Sequence, residues 1–197
     1  MIDNKLFTIR EIDWVRDSEA LLHFDASFTT DRIFRLETGD LSARFVEEIL
    51  DEPLAKSYDL SGIEDAVNDS GLALVAACEQ KITAFMTVKF EAWNRRAWLT
   101  HIYVASEFRG GGIGTRLVGE AIKFVKMQNA RGLWLETQNF NYPAIRYYQN
   151  LGFRFCGFDR SLYDPAKVPG ETAIYFCLDI GTGEAGWRPD PSAPQMV

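Results

Sequence analysis

The sequence predicts a mixed α/β (α+β) domain in which a central, mostly antiparallel sheet is flanked by helices, and three observations carry that prediction. Three strand-like runs follow one another between residues 72 and 104. A helical period takes over at Ile113, directly after a glycine-rich turn. A strand, a helix and two further strands then succeed one another up to residue 178.

Taken in order, residues 6–12 alternate as a strand, and residues 13–24 form a helix that carries Leu21, Leu22 and Phe24 toward a core. Residues 32–36 and 42–49 read as two short strands about the turn Thr38-Gly39-Asp40. An acidic stretch, residues 47–69, follows as a solvated loop. It holds eight carboxylates against one lysine, an excess equal to the whole net charge of −7. Residues 72–77, 82–90 and 97–104 are β-rich runs broken by Glu79-Gln80-Lys81 and Asn94-Arg95-Arg96, which suits an antiparallel meander. Ile113, Leu117, Val118, Ala121, Phe124 and Val125 then recur at helical spacing to about residue 128. Residues 132–137 form a strand. Residues 143–151 form a helix, with Pro143 in its first turn and Gly152 stopping it. Strands near 154–159 and 172–178 close the domain, expected to span residues 1–180, and residues 181–197 are expected to form a flexible tail.

Composition narrows the function. A chain of 197 residues, 47% hydrophobic and 13% aromatic, supports one domain with a substantial core. No apolar run approaches the roughly 18 residues of a membrane span, and the first residues are not expected to act as a signal peptide. Cys78, Cys156 and Cys177 lie far apart, as neither a disulfide framework nor a metal pair, so the cytoplasm is the expected compartment. With 21 basic against 28 acidic residues, nucleic acid is a poor partner. The acidic stretch has a sharper alternative, an electrostatic funnel for a small cationic substrate. Two histidines and no clustered cysteines argue against a metal site, and no G-x-S-x-G elbow supports a serine nucleophile. A homodimer is compatible with the sequence.

The most informative segment is Ile102-Tyr103-Val104 followed by Arg109-Gly110-Gly111-Gly112-Ile113-Gly114-Thr115, a strand delivering a glycine-rich turn into a helix. Glycines let several backbone N–H groups converge on one anion at a helix N-terminus. The Walker loop is excluded because Gly114 is followed by Thr115-Arg116, and the dinucleotide fingerprint fails at Thr115 and Leu117. Arg109-x-x-Gly112-x-Gly114 together with Asn141-x-x-Ala144-x-x-x-Tyr148-x-x-x-Gly152-Phe153 resembles the GNAT superfamily of acetyl-CoA-dependent N-acetyltransferases, over roughly residues 72 to 178.

That resemblance implies a sheet splayed between the strands ending near Val104 and Glu136, with acetyl-CoA as co-substrate. The pyrophosphate would lie on Arg109, Gly110, Gly111, Gly112, Ile113, Gly114 and Thr115. The pantetheine arm would follow Ile102, Tyr103 and Val104, and Asn141 and Tyr148 would complete the site. By the same resemblance Tyr148 would hydrogen-bond or protonate the CoA sulfur, although it shares a helix face with Ala144 and Leu151, so packing is its alternative role. Glu136 is the preferred base, and His101 a lesser one.

Further strings resemble streptothricin (nourseothricin) acetyltransferases: residues 25–31, residues 92–96, Leu135-Glu136-Thr137, and Gly157-Phe158-Asp159 through Leu162-Tyr163-Asp164. This implies acetylation of the β-lysine moiety of a polycationic antibiotic, conferring resistance, with Asp25, Asp31, Trp93, Glu136 and Asp159 as substrate contacts. Asp25 and Asp159 have local capping as an alternative role, and Trp93 has the core. Relatives often carry Glu before the residue matching His101, whereas this chain has Thr100. The alternatives are acetylation of another small amine or a protein N-terminus, and a non-catalytic CoA sensor.

Overall fold

The structure, a computed structural model, describes residues 7–180. Its elements run β1 (Thr8–Glu11), α1 (Trp14–Leu22), β2 (Phe28–Thr38), β3 (Ala43–Lys56), α2 (Ile63–Asn68), β4 (Leu72–Cys78), β5 (Lys81–Glu91), β6 (Arg96–Val104), α3 (Ile113–Met127), β7 (Gly132–Gln138), α4 (Tyr142–Asn150), β8 (Arg154–Asp159) and β9 (Ala173–Asp179). The predicted tail lies outside the described residues.

Seven strands form one sheet in the order β1-β4-β5-β6-β7-β9-β8, antiparallel throughout except for the parallel pair β6–β7. Alternation along the strands separates two cores. Leu74, Met86 and Leu99 face α3 and α4, whereas Val75 and Phe85 pack with Leu21 of α1 and Ile63 of α2. All six residues of the predicted helical stripe are buried in α3, each removing about 1 to 3 kcal/mol of apolar surface from water according to size.

Two expectations are corrected. Leu22 is 45% exposed because α1 ends there and turns Leu21, not Leu22, toward the core, while Phe24 just beyond the helix packs on Phe85. The two short strands are instead an 11-residue and a 14-residue strand paired as a separate arm, so the acidic stretch begins on β3 and ends on α2 rather than forming a loop. Several of its carboxylates have local partners: Glu47 with Arg32, Glu48 with Arg35 and Asp69 with Lys89.

Candidate active site

The site lies where the sheet comes apart. β6 and β7 pair only from Arg96↔Gly132 to Leu99↔Leu135, and the facing edges of the two strands carry no ladder beyond that register. The fork is prepared on β6 by a bulge, since Val88 faces Leu99 while Thr87 faces His101, leaving Thr100 as the extra residue. The Thr100 hydroxyl donates to the Thr87 carbonyl at 3.1 Å and lies 2.7 Å from the Thr87 hydroxyl. A cavity of about 570 Å³ opens here, walled by β6 from Leu99 to Val104, by Glu136 and Gln138, and by Tyr147 and Tyr148. A second cavity of about 290 Å³ shares Leu99, Thr100 and Glu136 with it and adds Lys89, Glu91 and Trp98.

The glycine turn forms one end of the larger cavity. Gly110 and Gly112 have φ of 76° and 77°, and a Cβ on either would meet nothing within 4 Å, so backbone conformation rather than space demands glycine. Gly112 caps α3 without a side-chain bond, leaving the first-turn amides available to an anion. At Gly114 the requirement is spatial, because a Cβ would stand 2.7 Å from the Tyr147 hydroxyl. Arg109, Gly110, Ile113 and Thr115 line the cavity, and Gly111 is absent from its wall. The Arg109 guanidinium is engaged by two backbone carbonyls, those of Val104 and Ser27, tying the turn to the segment before β2.

At the start of α4, Asn141 accepts from the Ala144 amide at 3.2 Å while its Nδ2 donates to the Tyr58 hydroxyl at 2.9 Å. Tyr58 in turn donates to Gln138. Tyr148 is both a packing residue and a cavity residue. Its ring sits 5.7 Å from Phe153 and 6.5 Å from Phe176, and it still lines the larger cavity. Burial raises its phenol well above the ordinary value, so it remains a proton donor. Tyr147 also lines the cavity, with its phenol pushed up to about 12 by burial.

Glu136 stands at the fork on both cavities and accepts a hydrogen bond from the Tyr163 hydroxyl. Burial raises its carboxyl above the usual range, a shift opposed by the Tyr163 bond. His101 Nδ1 lies 2.9 Å from the Thr87 hydroxyl, and burial lowers its pKa, which keeps the imidazole neutral near pH 7.

The remaining substrate candidates are not brought into either cavity. Asp25, which is exposed, accepts from the Ser27 amide, and Asp159, which is half-buried, accepts from the Ser161 amide and hydroxyl, so both act as local caps. Asp31 is exposed beside Arg32, and Trp93 is 85% exposed in the β5–β6 turn, neither core nor pocket. Sequence reasoning missed Lys56, Tyr58, Gln138, Tyr163 and Glu171 as surroundings of Glu136. The only signals were that Lys56 is the lone cation in the acidic stretch and that Tyr163 stands in one of the quoted strings.

Residues 31–153 match the acetyltransferase (GNAT) family. The chain is 36% identical over 170 residues to streptothricin acetyltransferase of Streptomyces lavendulae, spanning 82% of this chain and 89% of that protein. Its fold matches the crystal structure of nourseothricin acetyltransferase with a TM-score of 0.80 at 36% identity, over 88% of this chain and 98% of that one. A chain from Bacillus anthracis str. Ames, crystallised in complex with acetyl coenzyme A, gives a TM-score of 0.73 at 27% identity over 90% of this chain and 99% of that one.

Proposed function

The chain belongs to the acetyltransferase (GNAT) family, and from that premise we propose that it acetylates an amine of streptothricin, on the β-lysine moiety, by direct attack. It is an acetyl-CoA-dependent N-acetyltransferase, the co-substrate supplying an activated acetyl thioester. The observation that carries the reading is that a candidate proton acceptor, Glu136, and a candidate proton donor, Tyr148, line one cavity at the fork, with an anion-receptive glycine turn at its end.

The residues fit the co-substrate. The positive-φ glycines and the uncapped start of α3 suit a pyrophosphate, and the unladdered edge from Ile102 to Val104 suits an amide-bearing arm. The acceptor arrives as an ammonium and must lose a proton before its nitrogen bonds to the carbonyl carbon. Glu136 takes that proton. As the carbon–sulfur bond breaks, Tyr148 supplies a proton to the departing sulfur. Thr100 does not deprive the fork of a carboxylate, because Glu136 is already there. The net charge of −7 favours encounter with a polycation.

Gly112→Val is expected to weaken CoA binding at least about tenfold in calorimetry, because a β-branched residue resists φ near 77° and places side-chain atoms where the backbone must approach the ligand. Unchanged affinity in a folded variant would remove the phosphate role from this turn.

The substrate assignment is tested with purified protein, acetyl-CoA, and streptothricin, spermidine or kanamycin at matched salt and pH. Streptothricin is expected to give the highest kcat/KM, and expression is expected to protect sensitive bacteria. A better rate with spermidine or kanamycin would discard streptothricin and leave the acetyltransferase chemistry standing.

A further inference from the structure

Glu136 does not stand alone at the fork. The loop between β8 and β9 brings two side chains to it, Tyr163, whose hydroxyl donates to the Glu136 carboxylate, and Glu171, which pairs with Lys56 from the last residue of β3. The ion pair is shielded from solvent, with side-chain exposures of 19% for Lys56 and 7% for Glu171. The Lys56 ammonium also lies 5.6 Å from the centre of the Tyr58 ring. These groups come from sequence positions as far as 115 residues apart.

Their meeting is fixed by a buried hub three residues past Glu136. Asn139 exchanges backbone and side-chain bonds with Phe34 of β2, at 2.9 and 2.8 Å, and with Thr172 at the end of the loop, at 3.0 and 2.8 Å. Arm, loop and β7 are thereby locked in one arrangement around the carboxylate. A buried ion pair is weak evidence for stability, since desolvation offsets most of the attraction. Its charges act on the Glu136 carboxylate, whose direction the loop's own Tyr163 holds, and that calls for another role.

We propose that Tyr163 and the Lys56–Glu171 ion pair are positioning residues for Glu136: the Tyr163 hydroxyl fixes the direction of its carboxylate, and the two partly buried charges tune how readily it takes the acceptor's proton. The inference rests on the reading of Glu136 as proton acceptor. Lys56 favours the charged carboxylate and Glu171 disfavours it, so the pair acts as two opposed electrostatic settings. The other titratable or charged groups around Glu136 are Tyr103 and His101 on β6, Lys89 and Glu91 on β5, Tyr147 and Tyr148 on α4, Tyr175 on β9 and Tyr58 after β3. None of them hydrogen-bonds to it.

The experiment is the pH dependence of kcat/KM with acetyl-CoA and streptothricin, or the best amine of the panel, for the wild type and five variants. Wild-type activity is expected to rise with pH as Glu136 ionises. Lys56→Met and Tyr163→Phe are expected to move that limb to higher pH and Glu171→Gln to lower pH, each by about one unit. CoA affinity by calorimetry is expected to stay within about twofold. The double variant Lys56→Met/Glu171→Gln removes both charges and is expected to return the limb close to the wild-type position, which keeps the test available if a lone buried charge prevents folding. Glu136→Gln is expected to abolish this limb and leave only the later rise set by the acceptor's own pKa. A limb lost in Glu136→Gln but unmoved in the charge variants, or moved in the same direction by both of them, overturns this inference alone. A limb that persists in Glu136→Gln at its wild-type position, below the acceptor's own pKa, overturns the proton-acceptor reading and this inference with it.

Discussion

Tyr148→Phe is expected to lower kcat by about a hundredfold while leaving acetyl-CoA affinity within about threefold. The ring keeps its contacts with Phe153 and Phe176, so the variant should fold and melt like the wild type. What is lost is one hydroxyl whose proton is held through neutral pH by burial. That hydroxyl matters only when negative charge develops on the departing sulfur, which is why the loss should fall on kcat rather than on ground-state binding. Steady-state kinetics and calorimetry on the same preparation separate the two quantities. Equal kcat for the two proteins would make Tyr148 a core aromatic that happens to border the cavity.

Glu136→Gln is expected to be the more damaging change, lowering kcat/KM by about 10² to 10³ below the acceptor's own pKa, where nearly all of the amine is protonated. The deficit should shrink as pH rises, because solvent then supplies the free amine without help. Burial raises the Glu136 carboxyl in the folded protein above its unfolded value. Stability from this group is therefore fully present below the unfolded value and is lost as pH rises through the folded one. The Gln variant lacks that loss, so it should melt at least as high as the wild type near neutral pH while being far less active. Thermal melts and rate profiles across the same buffers check both statements. A rate profile superimposable on the wild type's would exclude a proton-transfer role.

The sequence carried most of the sheet and little of the site's surroundings, for a physical reason visible in particular residues. β4 and β5 bury side chains on both faces, β6 buries Ala97 and Leu99 on one face, and α3 buries a regular stripe, so hydrophobic period alone located them. β2 and β3 are exposed along much of both faces, and β3 includes Pro53, so no alternation marked their full length. The glycine turn was legible because its conformational demand falls on residue type at Gly110 and Gly112. Glu136 and Tyr148 came from the resemblance, and the fold places both on one cavity. Lys56 and Glu171 left no local trace, since what makes them neighbours of Glu136 is the docking of an arm and a loop through Asn139. The acidic candidates Asp25 and Asp159 illustrate the converse, because a carboxylate two residues before a serine satisfies a local turn without facing any ligand.

The strand order has a consequence for how the enzyme comes into being. β9, the last strand of the described chain, sits between β7 and β8 rather than at a rim. During synthesis, every strand from β1 to β8 can leave the ribosome while the outer edge of β7 still has unpaired amides from Gly132 to Gln138, and Phe155 still lacks Phe176 as its partner. An unpaired edge of that length is an invitation to pair with another nascent chain. Cellular yield is thus governed by how quickly residues 173–179 are threaded into place, and a chain cut short before them would forfeit catalysis and solubility together, even though Glu136, Tyr148 and the glycine turn had all been translated.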